Sequence, residues 1–340
     1  MNERSMPAIL IRETGKKGDW NALAPGRTAI PALKAGEALV RVEACSVNRA
    51  DLLQRRGLYP PPPGASSILG LDFAGVVVES APGAARPQPG ERVFGIVAGG
   101  GYGRYVAVPA DHLVPVPGNL DFVQAAAAAE VFFTAFHNLF AEAGLAAGET
   151  LLIHGGGSGV GTAAIQLARS AHASAIVTAG EQQKLDRCMA LGASFGVSYR
   201  EEGFFDRIRK FTGGAGVDVI LDWIGASYLS KHIEILKPKG RIVLIGLMGG
   251  HKTEISLAPF VSRRLRLIGS VLRSQSREEK AALTLSFRER ALPLLASGEV
   301  HPVVDKVFSI PQVEEAHEYL REGKHFGKVV LTWEGFAEER

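Results

Sequence analysis

The chain has 340 residues, 46% hydrophobic and 21% charged, with a formal net charge of +3 at pH 7. That length fits two domains, and so small a charge argues for neither a nucleic-acid nor a membrane partner. Two cysteines, Cys45 and Cys188, cannot build a disulfide framework and fit a reduced cytoplasmic compartment; residues 1–7 lack the apolar core of a signal peptide, and the longest apolar run, 125–136, is short and cut by Glu130.

To about residue 124 the chain is strand-like and rich in turns. Residues 38–44 alternate imperfectly, 74–79 are β-branched, and Pro60-Pro61-Pro62-Pro63-Gly64 must be an extended or turning loop. Ala81-Pro82-Gly83 and Pro87-Gln88-Pro89-Gly90 add further turns. Residues 125–143, with five alanines, read as helix. From Thr150 strand and helix alternate. Strand 151–154 leads into a helix from about Val160, 175–178 into helix 182–191, a short strand near 195–197 into helix 203–211, and 217–222 into a helix ending at Leu236. Lys237-Pro238-Lys239-Gly240 reads as a turn before strands 241–246 and 265–271. The tail holds a helix over 276–297, a strand near 303–308, a helix from Pro311 and a strand over 328–331. The alternation predicts an α/β chain with a doubly wound parallel sheet.

The most informative run is His154-Gly155-Gly156-Gly157-Ser158-Gly159-Val160-Gly161, between an apolar strand and good helix formers. Glycines let backbone approach a pyrophosphate, and the helix N-terminus supplies free N–H donors. Aligned on Gly161, the pattern is Gly156-x-Ser158-Gly159-x-Gly161, with serine in the middle glycine slot. At the end of the next strand, where an NAD site usually carries a carboxylate for the ribose 2′-hydroxyl, stand Ala179 and Gly180. Lys184 follows on the first turn of the next helix. A missing acid and a nearby cation favour the 2′-phosphate of NADPH, although Glu181 also lies within reach of a ribose and Lys184 also reads as a solvated helix lysine.

Several segments in order carry a family resemblance over nearly the whole chain. They include Ser46-Val47-Asn48-Arg49-Ala50-Asp51-Leu52, Ile68-Leu69-Gly70-Leu71, Ser158-Gly159-Val160-Gly161-Thr162, Val177-Thr178-Ala179-Gly180, Gly246-Leu247-Met248-Gly249-Gly250 and Leu272-Arg273-Ser274. The sequence resembles the zinc-free quinone oxidoreductases of the medium-chain dehydrogenase/reductase superfamily, with the tumour-suppressor-inducible branch the nearest in pattern. The resemblance implies a β-rich GroES-like catalytic domain from 1–126 and 272–340, a Rossmann NADPH-binding domain over 127–271, and a homodimer paired through the edge strand 265–271. It implies that Gly156, Ser158, Gly159, Val160, Gly161, Gly180, Lys184, Tyr199, Gly246, Leu247, Met248, Leu272, Arg273 and Lys328 hold NADPH. Asn48, Asp51, Tyr59 and Thr134 would face the nicotinamide and substrate, and the Ser158 hydroxyl would face the cofactor.

Zinc-dependent relatives place Cys, His with an adjacent Glu, and Cys around the substrate. The matching positions here hold Asn48, Leu71 with Asp72, and Glu130, and no histidine pair has H-x-x-H or H-x3-H spacing. No metal is expected. A quinone tolerates that loss, with Tyr59 and Asn48 as candidate hydrogen-bond donors to its oxygen. The rival activity is reduction of an α,β-unsaturated carbonyl, an alkenal or enoyl thioester; a more distant rival is a non-catalytic NADPH- or RNA-binding protein. The basic residues Arg263, Arg264, Arg266, Arg273 and Arg277 lack interleaved aromatics and read as a solvated face. Cys45 and Cys188 read as buried or half-buried, and His301, His317 and His325 as surface.

Overall fold

A computed structural model describes residues 5–12, 15–82 and 87–336. The turn expected at Ala81-Pro82-Gly83 runs into residues outside that set. The N-terminal part builds β1 (Ser5–Arg12), β2 (Ala22–Ala29), β3 (Glu37–Val47), helix α1 (Arg49–Gln54), β4 (Asp72–Ser80), β5 (Arg92–Ile96), β6 (Tyr105–Pro109) and β7 (Val114–Pro115). Helix α2 (Phe122–Phe136) runs on as a π-helical segment, His137–Glu142. Its five alanines, 125–129, are fully buried, so the helix backbone packs closely where larger residues would hold it off.

The middle of the chain gives β8 (Thr150–Ile153), α3 (Gly159–Ser170), β9 (Ser174–Ala179), α4 (Gln182–Leu191), β10 (Phe195–Ser198), α5 (Phe204–Phe211), β11 (Val217–Asp222), α6 (Ala226–Ile235), β12 (Leu236–Leu244), α7 (Ala258–Ser262) and β13 (Arg266–Gly269). The tail adds α8 (Arg277–Arg290), α9 (Leu292–Ser297), β14 (Val304–Ser309), α10 (Val313–Glu322) and β15 (Lys328–Thr332).

Two corrections to the expected elements have local causes. Helix 276–297 is two helices, because Pro293 cannot donate into a continuous ladder and instead sits in the first turn of α9. The turn over 237–240 is an irregularity inside β12, with Lys239 at φ 66 and a register shift against β11.

Two compact units result. The first comprises 1–133, 273–298 and 302–340, and the second 134–272 with 299–301. In the first, the main sheet runs β14-β15-β3-β4-β5-β7 with β6 also on β3. Its core gathers Val40, Val42, Phe73, Tyr102, Val108 and Leu331. The tail strand β15 pairs antiparallel with β3, so the last part of the chain completes a sheet begun by the first.

In the second unit all pairs are parallel, in the order β10-β9-β8-β11-β12-β13. Strand β8 is buried on both faces, which is why Leu151-Leu152-Ile153 is continuously apolar and does not alternate. The strand order reverses between β8 and β11, and ligands of such sheets bind at the carboxyl ends of the strands beside that switch point.

Candidate active site

In the second unit the carboxyl end of β8 delivers His154 and the glycine turn. Gly155 adopts φ 56, a left-handed conformation that favours glycine, and its backbone N–H donates to Thr178 Oγ1 at 3.2 Å. A Cβ on Gly161 would stand 2.6 Å from the Gly155 carbonyl oxygen and 2.7 Å from that of Gly156, so only glycine lets α3 begin this close to its strand. Gly156 is packed against Val177 and Cys188 in the same way. Ser158 is the N-cap of α3, its Oγ accepting from Gly161 N at 3.0 Å. Gly159 and Val160 open the first turn, where the unpaired N–H groups of a twelve-residue helix favour an anion.

At the end of β9, Gly180 lets Tyr199 and Arg200 come close: a Cβ there would stand 2.6 Å from the Tyr199 hydroxyl and 3.2 Å from Arg200 Nε. Tyr199 and Arg200 are exposed, and Lys184 is half-buried on the first turn of α4. Arg200 is a cation the sequence reading missed; the only signal was its place directly after Tyr199. Leu247 and Met248 are about half exposed, in a loop held to the turn after β11 by bonds from Met248 N to Trp223 O (3.0 Å) and Gly249 N to Ile224 O (2.7 Å). Gly246 packs on Trp223, whose Cβ would stand 2.9 Å from an added Cβ. Thr134 is buried and its carbonyl accepts from Asn138 Nδ2; Leu272 is half-buried.

In the first unit a buried polar cluster surrounds the start of α1. Asn48 caps the helix while Asp51 accepts from its backbone N–H at 2.8 Å. Asn48 Nδ2 donates to Asp72 Oδ2 at 2.7 Å and Ser46 O at 3.3 Å, and its Oδ1 accepts from Lys328 Nζ at 2.6 Å. Both amide hydrogens therefore have partners inside the unit. Lys328, 4% exposed, also bonds Val47 O at 3.1 Å and lies 3.9 Å from Asp72 Oδ2. Expected at the cofactor, its ammonium makes these contacts within the first unit.

Asp51 is fully buried, and desolvation pushes its pKa up to about 7 against the pull of the Asn48 and Gly70 N–H groups. Tyr102 bridges Asp51 (3.3 Å) and His317 Nε2 (3.0 Å). His317 is buried, not on the surface as expected, and burial drives its pKa down to about 3, so the ring is neutral.

Arg273 is likewise committed within the first unit. It donates to Ala98 O (2.8 Å), Tyr59 O (3.2 Å) and Gln54 Oε1 (2.5 Å), and its guanidinium stacks 4.9 Å from the Tyr59 ring centre. The clamp holds Tyr59, whose pKa burial raises above the ordinary tyrosine value, so the hydroxyl keeps its proton at neutral pH.

The Asn48–Asp72–Lys328 cluster does not fit zinc. It offers no thiolate or imidazole, and an ammonium already stands beside the one carboxylate. Elsewhere the fold assembles ligand-type residues that spacing along the chain did not reveal: the ligand atoms of His154, Asp222 and His232 lie within 4.8 Å of one another.

Two family models match the chain: an alcohol dehydrogenase GroES-like domain over residues 34–118 and a zinc-binding dehydrogenase domain over 159–288. The human quinone oxidoreductase is 34% identical over 309 residues, covering 89% of this chain and 91% of the relative. The chain belongs to the medium-chain dehydrogenase/reductase superfamily. It is an oxidoreductase of that superfamily, and its members' fold implies a nicotinamide cofactor. Among solved structures, an NAD-dependent alcohol dehydrogenase superposes with a TM-score of 0.83 at 31% identity, covering 96% of this chain and 99% of the other. The quinone oxidoreductase of Coxiella burnetii gives 0.78 at 27%, covering 97% and 99%. No helix among the described residues is long and apolar enough to cross a membrane.

Proposed function

We propose that this oxidoreductase reduces quinones with NADPH and without a metal. The observation that carries the cofactor choice is the end of β9, where Gly180 stands in place of a carboxylate with Tyr199 and Arg200 beside it and Lys184 on the next helix. A 2′-phosphate brings two negative charges that suit this cationic corner, whereas a bare ribose finds no acceptor at Gly180. The glycine turn and the first turn of α3 hold the pyrophosphate. When bound, the dinucleotide supplies the hydride.

The acceptor follows from what the first unit lacks. Reducing a simple ketone develops an alkoxide whose parent acid has a pKa near that of water, about 15.7. Hydride addition to a quinone develops a phenolate-like oxygen, with a pKa of about 10 as in tyrosine. The difference, about 6 units, relieves the protein of about 8 kcal/mol of stabilisation at about 1.36 kcal/mol per unit. Orientation and one or two hydrogen bonds then suffice, and Tyr59, protonated and clamped by Arg273, is the side chain suited to give one. The buried Asn48–Asp72–Lys328 cluster keeps the β3–α1 corner rigid. Several relatives named quinone oxidoreductase support the same acceptor.

Steady-state rates with a naphthoquinone and a 2-alkenal, each under NADPH and NADH, test the reading. Fast quinone turnover with NADPH is expected. Fast alkenal and slow quinone turnover would assign the chain to conjugated carbonyls. The dimer expected through 265–271 has support in the position of β13, an edge strand with exposed Arg266 and Leu267; sedimentation at the monomer mass in analytical ultracentrifugation would remove it.

A further inference from the structure

Four side chains that this chemistry leaves unused form a line beneath the glycine turn. Thr178 lies near the end of β9, His154 follows β8, Asp222 ends β11 and His232 lies on α6, all buried. His154 Nδ1 is 3.1 Å from Thr178 Oγ1, His154 Nε2 is 2.7 Å from His232 Nε2, and His232 Nδ1 faces Asp222 Oδ2 at 3.4 Å. Phe205 and Tyr228 pack on both imidazoles.

Two imidazoles and a carboxylate are ligand types for a metal, and the distances decide against one. Zinc–nitrogen bonds of about 2.0–2.1 Å in a tetrahedron hold two nitrogens about 3.4 Å apart. The separation of 2.7 Å is that of a hydrogen bond, so one imidazole donates to the other.

The direction of donation is argued from the Asp222 end. Its carboxylate accepts from Ile224 N at 2.7 Å and from Gly225 N at 3.2 Å. Burial pushes its pKa up, but His232 and the Ile224 N–H outweigh that and hold it below the ordinary value, so it is ionised. A carboxylate only accepts, so its 3.4 Å approach to His232 Nδ1, longer than the other links, suits a proton on that nitrogen. A single proton on His232, at Nδ1, leaves its Nε2 bare; His154 then donates from Nε2, and His154 Nδ1 accepts from the Thr178 hydroxyl. Thr178 Oγ1 in turn accepts from Gly155 N. Burial drives the His154 pKa down to about 3, which suits a neutral ring.

The line has a loop at each end. One is the glycine turn, with the Trp223 ring 3.1 Å from where a Gly155 Cβ would stand. The other is the 223–225 turn, whose carbonyls hold the loop that carries Met248 and Gly249. We propose that Thr178, His154, His232 and Asp222 form a positioning relay, with His154 as the Nε2–H and His232 as the Nδ1–H tautomer, that sets the spacing between the pyrophosphate turn and the 246–249 loop for a nicotinamide dinucleotide. The second half of this statement rests on the cofactor placement above; the tautomers do not.

Long-range proton–nitrogen correlation spectra of the imidazoles in the cofactor-free protein at pH 7 read the tautomers directly, with His154→Asn and His232→Gln assigning the signals. One Nε2–H and one Nδ1–H ring are expected; two rings of the same tautomer, or an imidazolium, would overturn the relay. His154→Asn keeps an acceptor for Thr178 but cannot reach His232. It is expected to weaken NADPH and NADH about tenfold alike, because the relay touches no 2′-phosphate. His154→Gln, which reaches His232, should restore most of that affinity. Wild-type affinity in a folded His154→Asn protein sinks the positioning role. Should that variant not fold, Thr178→Val removes the first link together with the acceptor for Gly155 N, and unchanged affinity there has the same force. A wild-type protein that binds neither dinucleotide refutes the cofactor placement and the positioning role together, with the tautomers still decided by the spectra. Tetrahedral cobalt(II) absorption that His232→Gln abolishes would identify a metal site and overturn the relay.

Discussion

Lys328 and Asn48 lie 280 residues apart and meet in a 2.6 Å hydrogen bond from Nζ to Oδ1. The bond ties β15, from the tail, to the residue that starts α1, and it brings the ammonium to 3.9 Å from Asp72. Removing one partner of such a buried arrangement leaves a charge uncompensated, which costs about 3–5 kcal/mol. Lys328→Met should lower the stability of the first unit by that order in urea denaturation, and adding Asp72→Asn should recover part of it. Equal stability of Lys328→Met and wild type would show the ammonium to be dispensable.

Asp51 gives a pH dependence with a definite sign. Its pKa is about 7 in the fold and about 3.9 in an unfolded chain. Between those values the folded protein holds a proton that the unfolded chain has released. Its contribution is therefore fully present below about pH 4 and is lost as pH rises through 7. From pH 5 to 8 wild type should lose about 2–3 kcal/mol that Asp51→Asn does not lose. Parallel denaturation profiles for the two proteins would contradict the burial argument.

Two glycines should respond differently to one methyl group. In Gly161→Ala the Cβ meets backbone carbonyls that cannot move aside, so loss of dinucleotide binding and of about 1–3 kcal/mol is expected. In Gly180→Ala the Cβ meets the tip of an exposed tyrosine, which can swing away. Fluorescence titration should then find NADPH still bound, with the larger effect on NADPH than on NADH. The reverse ranking would misplace the cofactor.

Lys184→Ala and Arg200→Ala should each lower the preference for NADPH over NADH, by about tenfold for a lost charge-assisted contact. The ratio of kcat/KM values for the two cofactors measures this. An unchanged ratio in both variants would mean that the phosphate sits elsewhere.

Ser158→Ala removes the cap of α3, a loss of about 1 kcal/mol by the usual worth of such a cap. If the hydroxyl also donates to the cofactor, as the resemblance implies, NADPH affinity should fall as well. A stability loss with unchanged affinity would limit Ser158 to capping.

Much of the second unit was legible because its signals are local. Helix 182–191 and strand 217–222 occupy the expected residues, since apolar runs bounded by Gly and turn residues fix each element within its own segment. The glycine turn was legible because backbone approach demands glycine at fixed spacing. Lys237–Gly240 misled because Pro and Gly there accommodate an irregularity within a strand, and helix 276–297 because Pro293, inside it, starts a second helix.

The sequence by itself determined the alternation of strand and helix, the glycine turn, the missing acid at Gly180 and the missing zinc ligands at Asn48, Leu71 and Glu130. These depend on residue type and near-neighbour spacing. Only the tertiary structure decided that Lys328 bonds Asn48, that Arg273 clamps Tyr59, that Arg200 flanks Gly180, and that His154 bonds His232 with Asp222 beside it. The reason is physical: hydrogen bonds and charges act across a few ångströms of space, and parallel strands set side by side residues that the chain separates by 68 or more, as His154 and Asp222 are.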